Sequence, residues 1–139
     1  MKKRELYFYI YKLSDYRQYQ NIVCKIIEDA YQKGLQVIML CENENTCQKF
    51  DQALWTFTET CFIPHSIHNY NSIITSNHQS SSASVPKMLL NASYVFPSSC
   101  EDYNQIVEMS GYDQISRQKA RLIFKKYKSK KFKISSIHI

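Results

Sequence analysis

The stretch that decides the fold spans residues 37–65 and reads Val37-Ile-Met-Leu-Cys-Glu-Asn-Glu-Asn-Thr-Cys-Gln-Lys-Phe-Asp-Gln-Ala-Leu-Trp-Thr-Phe-Thr-Glu-Thr-Cys-Phe-Ile-Pro-His65. It begins with a short, continuous apolar run, which is typical of a parallel strand that is covered on both faces. Either Asn43 or Asn45 can cap the helix that follows, and Phe50 and Leu54 then fall on its inner face. The stretch therefore predicts a buried strand followed by a helix.

The sequence before this stretch predicts another strand and another helix. Residues 5–11 alternate and are rich in tyrosine, phenylalanine and isoleucine, which favours a strand. Apolar residues at helical spacing predict a helix from about Tyr16 to Lys33, which Gly34 can end. Strand, helix, strand and helix in this order are typical of an α/β domain with a mostly parallel sheet flanked by helices. The length favours a single domain over residues 1–139.

The second half of the chain predicts a loop and further elements. Residues 68–86 are dominated by Asn, Ser, His and Thr, which predicts a mobile surface loop. Residues 88–92 and 94–96 return to strand-like sequence. A basic helix is expected over about residues 115–128 and an edge strand over residues 132–139. Between them we expect a helix, capped by Ser98 or Ser99, which carries Tyr103, Ile106, Val107 and Met109.

The composition excludes several classes of protein. The only glycines are Gly34 and Gly111, which argues against a glycine-rich phosphate loop, and Asp15-Tyr-Arg-Gln stands where a dinucleotide site needs glycines. No apolar run is long enough for a membrane span, and the N-terminal residues do not resemble a signal peptide. Five cysteines at irregular spacing favour reduced thiols over a disulfide framework. We therefore expect a cytoplasmic protein without a membrane contact.

No catalytic, cofactor or metal site is predicted. The side chains that invite a metal interpretation lack short Cys-x-x-Cys spacing and are better interpreted as small buried or half-buried groups. They are Cys41, Cys47, Cys61, His65 and His68. No nucleophile motif is present, and acids near residues 42–51 fit the dipole at a helix start. A small α/β enzyme stays a rival hypothesis, which would require a pocket with converging polar groups.

The net charge of +6 is concentrated at one end of the chain. Residues 114–139 hold nine of the eighteen basic residues and no acidic residue, whereas residues 1–113 have a net charge of −3. A solvated surface usually mixes both signs. The C-terminal segment therefore predicts an anionic partner, either a nucleic acid or an acidic peptide.

The basic helix carries an aromatic residue among its cations. Arg117, Arg121, Phe124, Lys125 and Lys128 follow each other at spacings that place them on one connected face. Such a face can hold an anionic chain that also offers an apolar group. An ordinary solvated charged face is the alternative. Direct binding of single-stranded nucleic acid, with bases stacked on the aromatic rings, is a further alternative.

The chain's only tryptophan, Trp55, begins an apolar segment that runs to Phe62 and is closed by Pro64-His65. We expect Trp55 just past the end of the helix, in a surface that another protein covers, because tryptophan is enriched at interface hot spots. The alternative is that Trp55 and Phe62 are ordinary core residues.

Several blocks of this sequence resemble the chi subunit family of bacterial DNA polymerase III over nearly the whole chain. The most specific block is Asp51-Gln-Ala-Leu-Trp55 followed, after six intervening residues, by Phe62-Ile-Pro-His65. The other carrying segments are Val37-Ile-Met-Leu-Cys-Glu42, Leu89-Leu-Asn-Ala-Ser93, Pro97, Phe124-Lys-Lys-Tyr127 and Phe132. The resemblance implies a non-catalytic, Rossmann-like three-layer α/β fold without a cofactor.

The resemblance also implies two partner surfaces. Trp55, Phe62, Pro64 and His65 match the surface that binds the psi subunit of the clamp loader as a one-to-one heterodimer. A helicase-like repair protein can compete for that surface. The family's other surface binds the acidic C-terminal tail of single-stranded DNA-binding protein, so that contact with DNA is mainly indirect.

The positions that match the family's tail-binding surface lie in the basic helix. They are Arg117, Arg121, Phe124 and Lys125, and the charge pattern adds Lys128. Phe124 stands where the family often has tyrosine, so the aromatic ring is kept and a hydroxyl contact is lost. The resemblance thus implies an adaptor in DNA replication, with direct nucleic-acid binding through the same helix as the alternative.

Overall fold

The protein is described by a computed structural model that covers residues 5–11, 16–57, 63–75, 86–97, 100–111, 114–130 and 132–138. The strands are β1 (Glu5–Tyr11), β2 (Gln36–Cys41), β3 (His65–His68), β4 (Ser72–Thr75), β5 (Lys87–Ala92), β6 (Gln105–Gly111) and β7 (Lys133–His138). The helices are α1 (Tyr16–Gln32), α2 (Glu44–Thr56) and α3 (Gln114–Lys128), with a short 3-10 turn at Cys100–Asp102.

The seven strands form one sheet in the order β3-β4-β2-β5-β6-β1-β7. Five of them are parallel, since β2 pairs with β5, β5 with β6, β6 with β1, and β1 with β7 in parallel register. The β3–β4 hairpin adds two antiparallel strands beside β2. The predicted α/β class and mostly parallel sheet are confirmed, and β7 is an edge strand as expected.

Helices cover both faces of the sheet. Along β1, Leu6 and Phe8 join a core cluster with Ile123 and Tyr127 of α3. The residues between them, such as Tyr7, pack against the larger cluster that α1 and α2 form on the other face. This alternation follows from the pleat of a strand, which points successive side chains to opposite faces. The three-layer arrangement is therefore confirmed, with α3 alone on its side among the described helices.

Local signals set the start of α2 and the end of α1 as predicted. The side chain of Asn43 accepts a 2.9 Å hydrogen bond from the amide of Thr46, so Asn43 rather than Asn45 caps α2. Gly34 follows α1 with a φ of 83°, a left-handed conformation that glycine adopts at little cost. Its amide donates to the carbonyl of Tyr31. These signals are short in range, which is why the sequence alone carries them.

The prediction of a helix after Ser98 or Ser99 is wrong. Residues 105–111 form β6, which lies between β5 and β1 in the middle of the sheet. Ile106 packs towards α3, whereas Val107 and Met109 pack on the opposite face. A strand covered on both faces is apolar throughout, and its spacing does not distinguish it from a buried helix. Both serines lie outside the described residues.

Three smaller expectations are also corrected. The predicted loop 68–86 contains β4, and its residues 76–85 lie outside the described part of the chain. Residues 94–96 are not a strand, because Asn91 bonds to the backbone of the following residues and turns the chain. Trp55 lies within the last turn of α2 and not beyond the helix end.

Candidate functional site

Helix α3 presents most of its surface to solvent. Ile123 and Tyr127 are buried against the sheet, and all the lysines and arginines of the helix are exposed. The helix has no acidic residue, so its exposed surface has a single sign of charge. Its amphipathic pattern places one apolar stripe on the sheet and leaves the cations outside.

A cleft of about 290 Å³ lies between α3 and the sheet. It opens towards the carboxyl ends of β1 and β6, the edge at which open α/β sheets usually bind ligands. The side chains and backbone that line it come from three strands and from the part of α3 between Arg117 and Phe124. They are Phe8, Ile10, Ser110, Arg117, Ala120, Arg121, Phe124 and Ser136. The cleft therefore combines two guanidinium groups with an apolar wall.

Phe124 forms part of that apolar wall. Its ring lies 5.8 Å from the ring of Phe8, centroid to centroid, in a tilted arrangement, and 37% of the residue remains exposed. Phe8 is itself buried. The contact with Phe8 fixes the Phe124 ring at the rim of the cleft and leaves apolar surface for a ligand.

The structure brings together three of the five residues predicted for the basic site. Arg117, Arg121 and Phe124 line the same cleft. Lys125 and Lys128 are exposed on the same helix but do not line it. Lys128 lies one turn after Phe124, so it extends the charged surface beyond the cleft.

A buried polar network lies beneath α3. The hydroxyl of Tyr127 donates a 2.7 Å hydrogen bond to Oε2 of Glu108, and the Asn91 amide donates to both carboxyl oxygens. Burial raises the pKa of Glu108 to about 7, although the two donors act in the opposite direction. Burial, followed by the nearby carboxyl group, raises the pKa of the Tyr127 hydroxyl. The network joins α3 to β5 and β6.

Trp55 lies on the other side of the sheet, at the end of α2. It is 43% exposed, and its ring centroid is 4.2 Å from that of the buried His65. Nδ1 of His65 lies 2.7 Å from the carbonyl of Ile63, and Nε2 lies 3.1 Å from the carbonyl and 3.2 Å from Oδ1 of Asp51. These contacts fix the orientation of the imidazole ring, which lies against the indole and forms a platform for it. Trp55 is therefore not an ordinary core residue.

The remaining residues of the predicted psi-binding surface are only partly described. Pro64 is half-buried beside His65. Phe62 lies outside the described residues. The structure thus places Trp55, Pro64 and His65 together at one end of α2.

The cysteine and histidine residues do not assemble into a metal site within the described ranges. No group of three potential ligands occurs there. Cys41 and Cys47 are buried and hydrogen-bonded to each other, and burial raises the pKa of both thiols. Cys61 lies outside the described residues. None of the described helices is long and apolar enough to cross a membrane.

Residues 3–135 match the family model described as DNA polymerase III chi subunit, HolC. The chain therefore belongs to the DNA polymerase III chi subunit family. It is similar to the DNA polymerase III subunit chi of Pseudomonas aeruginosa, with 25% identity over 130 residues, or 87% of each chain. It is 23% identical to that of Escherichia coli over 122 residues, which cover 84% of this chain and 83% of the relative.

Membership of the chi family indicates an accessory role in DNA replication. The resemblance that the sequence suggested is confirmed. Sequence reasoning missed the strand side of the cleft, where Phe8, Ile10, Ser110 and Ser136 lie. It also missed Glu108, which it placed in a helix. The cleft residues lie towards the carboxyl ends of neighbouring strands. This position identifies them only once the strand order is known.

Proposed function

We propose that this member of the chi family is a non-catalytic adaptor in DNA replication. It bridges the psi subunit of the clamp loader and the acidic C-terminal tail of single-stranded DNA-binding protein. The observation that carries the proposal is the cleft in which Arg117, Arg121 and Phe124 meet. Among the described residues, the polar side chains of its lining are those two arginines and two serines, which suit recognition better than acid–base chemistry.

The chemistry of the cleft matches a peptide that ends in phenylalanine. Guanidinium groups bind carboxylates through paired hydrogen bonds, and such a tail ends in a free carboxylate. Phe8, Ile10 and Phe124 offer an apolar wall for the terminal ring. A volume of about 290 Å³ is at the small end for ligand pockets, which fits one side chain better than a large cofactor.

The exposed lysines of α3 extend this recognition beyond the cleft. Lys125 and Lys128 lie on the same helix and can attract the aspartates that precede the terminal phenylalanine. Solvent screens such contacts, so they steer association more than they hold the complex. We expect an affinity in the micromolar range that weakens as salt is added.

The psi subunit is proposed to bind at Trp55, Pro64 and His65, with Phe62 completing the surface by family resemblance. An exposed indole on a fixed platform is a typical interface anchor. Helices α2 and α3 pack on opposite faces of the sheet, so one chain can hold both partners at once. A helicase-like repair protein would compete with psi and not with the tail.

A peptide titration tests the adaptor proposal. The purified chain is titrated with the tail peptide of the host's single-stranded DNA-binding protein, with and without its last phenylalanine. We expect saturable, salt-sensitive binding that requires this phenylalanine and is weakened at least about tenfold by Arg121→Ala. Lys33→Ala is the matched control, because it removes one exposed positive charge after α1, on the opposite face of the sheet.

Two outcomes would overturn this assignment. Equal loss of affinity in Lys33→Ala and Arg121→Ala would mean that only net charge matters. Tighter binding to single-stranded oligonucleotides than to the peptide would favour direct nucleic-acid binding through α3.

A further inference from the structure

The side of α3 away from the tail-binding cleft carries exposed aliphatic residues. Ile115 is 66% exposed and Leu122 is 63% exposed. At 100° per residue, seven positions bring these two side chains to within about 20° of each other around the helix. They lie roughly 130° from the direction of Arg117 and Arg121, so they cannot belong to the cleft.

Two lysines on this side of α3 hold the turn that follows β5. Nζ of Lys119 lies 5.2 Å from the ring centroid of Tyr94, and Nζ of Lys126 lies 5.4 Å from that of Phe96. Val95, between these two rings in sequence, is 66% exposed. These two contacts place the turn beside the side of α3 that carries Lys119 and Lys126.

The turn is built by the buried network and is not an irregular loop. The Asn91 amide donates a 2.8 Å hydrogen bond to the carbonyl of Val95, and Asn91 Oδ1 accepts from the backbone and the hydroxyl of Ser93. Tyr94 has a φ of 63°, a costly conformation for a residue with a side chain. In this turn Val95 is exposed and the ring of Tyr94 lies near Lys119.

We propose that Val95, Ile115 and Leu122, flanked by Lys119 and Lys126, form a third docking surface that binds an acidic amphipathic helix of a partner protein. The aliphatic groups would contact the apolar stripe of that helix, and the lysines would meet carboxylates beside the stripe. Charge complementarity favours this occupant, because α3 has no acidic residue to balance its lysines. A single exposed leucine would need no explanation, but here Ile115 and Leu122 share one side of α3 and Val95 is exposed on the adjoining turn.

The probe for this surface is a synthetic peptide with leucines on one helical face and glutamates beside them. A scrambled peptide of the same composition is the control. We expect saturable binding of the first peptide only, and about a tenfold weakening in Leu122→Ser. Arg121→Ala should leave this binding unchanged, which distinguishes it from tail binding in the cleft. Leu122 is exposed, so Leu122→Ser is expected to fold, and thermal unfolding of the variant checks this.

Four results would overturn the proposal. Equal binding of the scrambled peptide would show attraction by charge alone. Loss of peptide binding in Arg121→Ala but not in Leu122→Ser would show that the peptide binds in the cleft. Self-association that Leu122→Ser abolishes would make the occupant a second copy of this chain. If an oligonucleotide competes with the peptide, and this competition requires Lys119 but not Leu122, the surface binds nucleic acid.

Discussion

The hydroxyl of Tyr127 donates a 2.7 Å hydrogen bond to the carboxyl group of Glu108, and both side chains are buried between α3 and the sheet. The bond joins α3, which lines the proposed tail-binding cleft, to strand β6. Asn91 bonds to the same carboxyl group and to the turn that presents Val95. One buried acid is therefore hydrogen-bonded to α3 and is linked, through Asn91, to the turn after β5.

Stability should depend on the protonation of Glu108. Burial raises its pKa from 4.5 to about 7, so the folded state favours the protonated form. The contribution of Glu108 to the free energy of unfolding is therefore fully present below pH 4.5 and is lost as the pH rises through about 7. The loss should be on the order of 3 kcal/mol in the free energy of unfolding. Denaturant unfolding of the wild type across this range measures it.

Glu108→Gln isolates this effect from the other titrating groups. The amide keeps the shape of the side chain but cannot ionise. The difference in free energy of unfolding between wild type and variant should change across the interval from pH 4.5 to about 7. Parallel pH profiles for the two proteins would show that Glu108 does not titrate there.

Tail affinity should depend on the ring of Phe124 and not on a hydroxyl at that position. Phe124→Tyr keeps the 5.8 Å contact with Phe8 and should change the affinity by less than about threefold. Phe124→Ala removes the apolar wall and should weaken binding by at least about tenfold. Peptide titration measures both variants, and circular dichroism confirms that they fold. Undiminished binding by Phe124→Ala would contradict the proposed cleft.

Short-range signals explain which elements the sequence predicted correctly. The bounds of β1, α1 and α3 and the start of α2 depend on alternation, helical spacing and caps such as Asn43, which act over a few residues. The strand β6 was mistaken for a helix because its continuous apolar residues fit either structure. The hairpin strand β4 was missed because its neighbours are polar and resemble a loop.

In the candidate sites, too, the sequence predicted the residues that lie close together in the chain and missed those that the fold brings together. One helix supplies Arg117, Arg121 and Phe124, so their spacing alone placed them on one face. The strand wall of the cleft comes from three segments far apart in sequence, and only the strand order brings Phe8 and Ser136 beside α3. The platform under Trp55 likewise depends on a contact with His65 that no local pattern encodes.

Removing the cap of α2 should destabilise the protein. The Asn43 side chain accepts a hydrogen bond from the amide of Thr46, and Asn43→Ala leaves that amide without this acceptor. We expect a loss of about 1 kcal/mol in the free energy of unfolding, measured by urea unfolding. Asn45→Ala is the matched control, since Asn45 lies exposed inside the helix and should change stability by less than about 0.5 kcal/mol. Equal losses would mean that Asn43 is not the cap.

The single tryptophan should report which surface a partner occupies. Trp55 is 43% exposed at the proposed psi-binding surface, and the cleft lies on the other face of the sheet. Binding of psi should bury the indole and shift its fluorescence to shorter wavelength, whereas the tail peptide should leave the emission unchanged. Trp55→Ala should abolish psi binding, and Trp55→Phe should retain part of it, because an aromatic side chain still anchors the contact. Full psi binding by Trp55→Ala would place the psi-binding surface elsewhere, and a tail-induced shift would mean that the two sites are not independent.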